Sequence, residues 1–207
     1  MKTITKELQQ QITPEQAIDL LQNGNKRFLQ NLRLNRNHLQ QVNETASAQY
    51  PFATILNCID SRTPAELIFD QGLGDIFSIR IAGNIINDDI LGSMEFACEF
   101  AGSKLIVVLG HTNCGAIKGA CDKVEWEHLS GLLTKVKPAI ESETTINDQR
   151  DGSNPDFVNA VARLNVMHSV NTVLNESHTI KKLVTEAKIK IIGGLYDISS
   201  GEVTFFN

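Results

Sequence analysis

The chain has 207 residues, of which 42% are hydrophobic and 21% are charged, values that are ordinary for a globular protein of about one domain. They exclude a collagenous, coiled-coil or disordered chain, and a chain of this length can build a stable core without disulfide bonds. The 19 basic and 24 acidic residues give a net charge of −5, which argues against nucleic acid or an anionic membrane as a partner.

The sequence indicates neither a membrane protein nor an exported one. No apolar run approaches the roughly 20 residues that cross a bilayer, and residues 1–11 lack the apolar centre of a signal peptide. We therefore expect a cytoplasmic protein without a membrane partner. Thiols stay reduced in that compartment, so we expect free thiols or metal ligands rather than disulfides. The cysteines are Cys58, Cys98, Cys114 and Cys121.

Residues 1–48 are predicted to form an N-terminal helical arm. Apolar residues recur at helical spacing in its first part, which indicates a helix over 14–30. Thr13 can cap this helix, Pro14 suits its first position and Gln16 completes a capping box. We expect the arm to pack across its own domain or, as we favour, against a partner subunit.

From residue 49 onward, short apolar runs alternate with helical patterns, which predicts one catalytic domain over 49–207. Four of the runs are predicted strands: 52–57, 76–83, 105–110 and 189–198. Helical segments between strands indicate βαβ crossovers, and hence a parallel sheet covered by helices. A further run at 202–206 follows a turn and predicts an antiparallel edge strand. The expected fold is α/β, with a central, mostly parallel β-sheet, an antiparallel C-terminal edge strand and flanking helices.

Two other segments are predicted in the second half of this domain. Residues 141–156 contain a single aliphatic side chain, Ile146, so we expect an exposed surface loop. Asn154 and Pro155 then have the features of a helix start, and the apolar residues that follow form one stripe at helical spacing.

Side chains that can bind a metal follow two of the predicted strands. Cys58, Asp60 and Arg62 come after the first strand, and His111 and Cys114 come after the third. Open parallel sheets bind their ligands at the carboxyl ends of the strands, so these residues are expected to meet. Two thiolates and one imidazole form a Cys₂His set, which leaves the fourth tetrahedral position of zinc open, as in catalytic zinc sites.

The two motifs, CIDSR at 58–62 and GHTNCGA at 110–116, resemble the zinc motifs of the β-class carbonic anhydrases. GDIFSIRIAGN at 74–84 is similar to that family's Gly-Asp-x-Phe-x-x-Arg-Asn-x-x-Asn segment. LYDISSGEV at 195–203 resembles its closing Tyr-Asp-x-x-x-Gly hairpin. The resemblance follows the family's order from Gln49 to the C-terminus.

This resemblance implies an enzyme that interconverts carbon dioxide and bicarbonate on one zinc ion per chain, with Cys58, His111 and Cys114 as ligands. Zinc-bound water loses its proton near neutral pH, and the hydroxide attacks carbon dioxide. Asp60 and Arg62 match the family's catalytic dyad, in which the arginine holds the carboxylate that orients the hydroxide. In some members this Asp becomes the fourth zinc ligand at low pH and closes the site. If Asp60 does so, activity changes between about pH 6.5 and 9.

The resemblance also implies a substrate pocket shared between subunits. Gln49 stands where the family has an active-site Gln, Phe77 where it has a pocket aromatic from the neighbouring subunit, and Phe96 where plant members carry Tyr. We therefore expect a dimer or tetramer. Two positions depart from the family pattern: Ile81 replaces an Asn, and Ile55 replaces the Trp of bacterial members that bind an inhibitory bicarbonate, so we do not expect that inhibition.

Three other functions are compatible with these residues. The same zinc site could act on another small heterocumulene such as carbon disulfide, and assays of both substrates would separate the two. A metal-free thiol enzyme, with Cys58 as nucleophile and His111 as base, would be inactivated by alkylation and indifferent to chelators. A structural zinc site would have a closed fourth position, but it would leave Asp60 and Arg62 without a role.

Overall fold

The structure, a computed structural model, describes residues 3–206 and is built around a five-stranded sheet. The strands are β1 (Ala53–Asn57), β2 (Ile76–Arg80), β3 (Leu105–His111), β4 (Lys190–Tyr196) and β5 (Val203–Phe206). Their order across the sheet is β2-β1-β3-β4-β5. The pairs among β1 to β4 are parallel, and β5 runs antiparallel to β4 at the edge. The predicted α/β fold with an antiparallel C-terminal edge strand is confirmed.

Ten α-helices lie within the described residues. They are α1 (Lys6–Gln11), α2 (Pro14–Leu29), α3 (His38–Thr45), α4 (Ala65–Ile68), α5 (Asp88–Glu95), α6 (Gly115–Cys121), α7 (Glu127–Thr134), α8 (Lys137–Ser142), α9 (Pro155–Glu176) and α10 (His178–Thr185). A 3₁₀ turn at Ala82–Asn84 follows β2, and a π-helical turn at Phe96–Phe100 continues α5. Between residues 3 and 206, no helix combines the length and the apolar character that a membrane span requires.

The two faces of the sheet bury different helices because side chains alternate along each strand. In β3, Leu105, Val107 and Leu109 face a core that includes residues of α2 and α4. Ile106 and Val108 face the opposite core, which includes residues of α5, α9 and α10. Every residue of β1 and β3 is buried, as expected for central parallel strands covered on both sides.

The described part of the N-terminal arm packs on its own chain. The helix predicted over 14–30 is confirmed as α2, and Thr13 and Gln16 form the expected capping box. Ala17 and Leu21 are fully buried in the core beneath the sheet. Other apolar side chains of the arm are exposed: Leu8, Leu20, Leu29, Leu32, Leu34, Leu39 and Val42.

Two predicted segments differ from the structure. The strand predicted over 76–83 ends at Arg80, because the chain turns at Gly83, whose φ is +68°. The exposed loop predicted over 141–156 is wrong at its start, because α8 extends to Ser142 and Glu143 is only 3% exposed. The Glu143 carboxylate is buried because Arg150 pairs with it at 2.7 Å, a contact that the polar composition of the loop did not reveal.

Candidate metal centre

The sheet register brings the predicted metal ligands together at the carboxyl ends of two neighbouring strands. β1 and β3 are neighbours, and Asn57 at the end of β1 lies opposite Leu109. Cys58 is therefore the first residue after β1, while His111 is the last residue of β3. Cys114 follows a tight turn and occupies the N-cap position of α6. Parallel strands in register thus unite residues that are 53 and 56 positions apart in sequence.

Cys58, His111 and Cys114 form a compact group that could hold a metal ion. All three are buried, and one ligand atom from each lies within 4.8 Å of the others. The two sulfurs are 3.9 Å apart. Tetrahedral zinc with Zn–S bonds of about 2.3 Å holds two sulfurs about 3.8 Å apart, so the spacing fits zinc closely.

The orientation of His111 also fits a metal ligand. Its Nδ1 lies 2.9 Å from the carbonyl oxygen of Thr112. A carbonyl can only accept, so Nδ1 carries the hydrogen and Nε2 presents a lone pair. Nε2 is buried and has no hydrogen-bond partner among the described residues, although the side chain is only 1% exposed. A cation at this nitrogen would satisfy an acceptor that is otherwise buried without a partner.

The two thiols have opposite electrostatic environments. The sulfurs of Cys58 and Cys114 share a hydrogen bond, and this interaction holds the pKa of Cys58 well below its usual range. The same interaction, together with burial, raises the pKa of Cys114 far above its usual range. One thiolate therefore forms readily, whereas two adjacent buried thiolates require a cation between them.

Asp60 and Arg62 form a bidentate pair at the rim of this group. Arg62 Nε donates to Asp60 Oδ1 at 2.9 Å, and Nη2 donates to Oδ2 at 2.7 Å. The main-chain N–H of Arg62 adds a third bond to Oδ1 at 2.9 Å. The Arg62 guanidinium therefore holds the pKa of the Asp60 carboxyl well below its usual range. Oδ2 also lies 4.0 Å from Nε2 of His111, so the carboxylate borders the ligand group.

Sequence reasoning missed two groups that shape this site. Arg80, at the end of β2, donates from Nε to the Cys58 carbonyl at 3.0 Å and from Nη2 to the Asp60 carbonyl at 2.5 Å. Gly83 donates its main-chain N–H to Cys58 Sγ at 3.4 Å. Both contacts involve main-chain atoms, which no residue type reveals. The available signals were the Arg of the segment at 74–84, which Arg80 matches, and a glycine in a short turn beside a ligand strand.

The predicted pocket residues lie away from the ligand group of the same chain. Phe77 is opposite Thr54, four residues before Cys58, and hence about 13 Å back along the strand direction. Its ring meets that of Phe96 edge-on, with centroids 6.5 Å apart, beside an open cavity of about 550 Å³. Gln49 is exposed and borders a different cavity with Gly74, just before β2.

Comparison with known proteins identifies the family. A family model described as carbonic anhydrase matches residues 53–203. Carbonic anhydrase 2 of Mycobacterium tuberculosis is 33% identical over 196 residues, which cover 91% of this chain and 90% of that protein. A carbonic anhydrase of Mycolicibacterium smegmatis is 32% identical over 192 residues, which cover 92% of both chains.

Solved structures agree in fold. One of the two tetrameric β-carbonic anhydrases of Sordaria macrospora superimposes with a TM-score of 0.69 at 26% identity, covering 78% of this chain and 83% of that one. A β-carbonic anhydrase of Aspergillus fumigatus gives a TM-score of 0.71 at 25% identity, covering 82% of each chain. Together with the Cys-His-Cys group, these matches show that the chain belongs to the β-carbonic anhydrases, enzymes whose general reaction is the hydration of carbon dioxide.

Proposed function

We propose that this protein catalyses the reversible hydration of carbon dioxide to bicarbonate and a proton with zinc held by Cys58, His111 and Cys114. The observation that carries the proposal is the buried, partnerless Nε2 of His111 in a group whose three ligand atoms, one from His111 and one from each cysteine, lie within 4.8 Å of one another. When bound, zinc supplies Lewis acidity that brings the pKa of water in its open position towards neutrality. Two sulfurs and one nitrogen are a donor set that zinc prefers.

Asp60 is proposed to orient the oxygen that attacks carbon dioxide. Arg62 already supplies three hydrogen bonds to the carboxylate, two of them to Oδ1. Oδ2 accepts one of these bonds and faces the ligand group, so it has a lone pair left for an O–H donor. Because Arg62 keeps the carboxylate ionised, Asp60 accepts a hydrogen bond and does not take up the proton itself. Release of Asp60 from Arg62 would free it to become a fourth ligand in a closed state.

The substrate pocket is proposed to form between two subunits. Phe77 of the edge strand β2 forms an aromatic group with Phe96 and Phe100 of the π-helical turn, away from the ligands of the same chain. Phe96 is 57% exposed, and Phe100, stacked on it, is 80% exposed. Exposed apolar surface of this kind is typical of an interface. In a dimer or tetramer, Phe77 and Phe96 would supply an apolar wall for carbon dioxide, and Gln49 an amide donor for bicarbonate.

The N-terminal arm is proposed to add to the same assembly. Ala17 and Leu21 anchor the arm in the core of its own chain, while seven large aliphatic side chains of its described part remain exposed. A partner subunit would cover these side chains. The tetramers of Sordaria macrospora give a precedent for self-association among similar proteins.

Metal analysis combined with a carbon dioxide hydration assay tests the proposal. We expect about one zinc per chain in the wild type, loss of both zinc and activity in Cys58→Ala, and retained zinc with activity reduced by at least about 100-fold in Asp60→Asn. Cys121→Ala is the matched control, because Cys121 is buried but lies outside the ligand group. Full activity of metal-free protein, or equal metal content in Cys58→Ala and wild type, would refute the zinc site.

A further inference from the structure

The 3₁₀ turn at Ala82–Asn84 supplies a main-chain hydrogen bond to a ligand sulfur. Gly83 N–H lies 3.4 Å from Cys58 Sγ and donates to it. Gly83 has a φ of +68°, in the left-handed region that glycine enters without strain. The same freedom makes alternative backbone conformations accessible to glycine. The N–H therefore stays directed at the sulfur only if neighbouring groups fix the conformation of the turn.

Helix α9 fixes this turn with two buried polar side chains. Asn165 Nδ2 donates to the Gly83 carbonyl at 2.8 Å, and Ser169 Oγ donates to the Asn84 carbonyl at 3.2 Å. Asn165 is 1% exposed and Ser169 is 2% exposed. The buried face of α9 around them is otherwise largely apolar: Val158, Val161, Ala162, Val166 and Val173. Two polar groups on such a face are costly to bury unless they are hydrogen-bonded, and carbonyls of the turn are their partners.

The two side chains act on different peptide groups. The peptide that joins Gly83 to Asn84 is held at both ends, because Asn165 binds its carbonyl and its N–H donates to Ile81 O at 2.9 Å. Ser169 binds the next peptide, one residue farther from the N–H that reaches the sulfur. Asn165 therefore restrains Gly83 directly, whereas Ser169 restrains the end of the turn.

We propose that Asn165 is a positioning residue for the Cys58 sulfur. By holding the carbonyl of Gly83, it fixes the backbone of this residue and so keeps the Gly83 N–H···S hydrogen bond in place. This inference rests on the metal centre of the proposed function. A hydrogen bond to a ligand sulfur withdraws electron density from it and fixes its direction. Loss of the bond makes the sulfur a stronger electron donor, which moves the sulfur-to-metal charge-transfer band to longer wavelength. It also leaves the sulfur less restrained in position, which weakens metal binding.

Cobalt substitution of the full-length protein tests this role. The probe is Co²⁺ alone, measured in wild type, Asn165→Leu and the matched control Ser169→Ala. In Asn165→Leu we expect the sulfur-to-cobalt charge-transfer band to move to longer wavelength and the metal dissociation constant, measured against a chelator, to rise about tenfold. Ser169→Ala removes a buried hydrogen bond from the same turn and should leave both values at those of the wild type.

Asn165→Ala provides a second variant, since it removes the amide donor without inserting a larger side chain, and it decides the question if Asn165→Leu does not fold. A wild-type band position in the folded Asn165 variant overturns the proposal, as does an equal shift in Ser169→Ala. Absence of any sulfur-to-cobalt band in the wild type overturns the metal centre as well. Thermal unfolding of each variant separates a general loss of stability from the local effect.

Discussion

The metal-ligand group and the aromatic group beside β2 are built in opposite ways. Cys58, His111 and Cys114 are at most 4% exposed and are brought together by strands of a single chain. Phe96 and Phe100 are 57% and 80% exposed, and they lie beside the edge strand of the sheet. The first group is complete within one subunit, whereas the second lacks a covering surface.

This difference separates two requirements of the proposed reaction. Metal ligands need fixed distances, and the register of two central parallel strands provides them without help from another chain. A pocket for a small apolar substrate needs exclusion of water, and an exposed aromatic group can provide that only after it is covered. We therefore expect metal binding to survive in a monomer and catalysis to require assembly.

Mixing two inactive variants gives the largest expected effect. Cys58→Ala removes the metal, and the double variant Gln49→Ala, Phe77→Ala removes the proposed pocket groups. If each site combines ligands from one chain with pocket groups from its partner, a mixed dimer contains one intact site. Random mixing by co-refolding should then restore about a quarter of wild-type activity from two preparations with little activity of their own.

The control for this experiment is co-refolding of Cys58→Ala with Asp60→Asn. Both substitutions lie in the ligand motif, and a mixed dimer still contains one chain with each defect. No site in the mixed dimer regains both Cys58 and Asp60, so activity stays low. Recovery confined to the first mixture supports a shared site. No recovery there, with mixed dimers verified by mass spectrometry, would place Gln49 and Phe77 in the site of their own chain or outside the site altogether.

A charge in the aromatic group should weaken assembly. Burial of a phenylalanine side chain contributes about 2 kcal/mol to the free energy of subunit association, and a symmetric interface buries this side chain from both subunits. Phe100→Arg is therefore expected to raise the subunit dissociation constant by about 10³-fold, as measured by light scattering against concentration. Zinc content should stay unchanged, while activity falls as the protein is diluted. Trp126→Arg is the matched control, since Trp126 is 68% exposed on the connection between α6 and α7. An unchanged assembly of Phe100→Arg would contradict an interface at this group.

The sequence was sufficient to predict that Cys58, His111 and Cys114 come together, because they lie at or just after strand ends. Cys58 follows β1 by one residue and His111 ends β3, so a correct strand pairing places both side chains. The contacts of Arg80 and Gly83 were not predictable in the same way. Arg80 binds two main-chain carbonyls and Gly83 offers a main-chain N–H, so these contacts depend on backbone geometry, which the residue pattern at 74–84 does not specify.

Fold prediction succeeded for the apolar strands and failed for a polar segment. Hydrophobic runs identify buried strands because only a covered sheet can accommodate them. In contrast, the segment after α8 looked exposed because it has few aliphatic side chains. Glu143 is buried there because Arg150 forms an ion pair with it and donates hydrogen bonds to three main-chain carbonyl oxygens around it, and such pairing leaves no periodic signal.

Stability at acidic pH gives the smallest expected effect and tests whether the arm is held by its own chain, like the ligands, or awaits a partner, like the aromatic group. Arg27 and Arg36 pair with Asp70, whose side chain is 2% exposed. Burial favours the neutral acid, but hydrogen bonds from both arginines outweigh it and hold the pKa of Asp70 below its usual value. The stabilisation is therefore complete above the unfolded pKa of about 3.9 and disappears as pH falls through the folded pKa.

In calorimetry of the metal-free protein, Asp70→Asn should unfold several degrees below the wild type at pH 7, by about 4–8 °C for each 2 kcal/mol in a chain of this size. The difference should shrink below about pH 4, with Asp19→Asn on the exposed side of α2 as control. A constant difference down to pH 3 would show that the ion pairs do not anchor the arm.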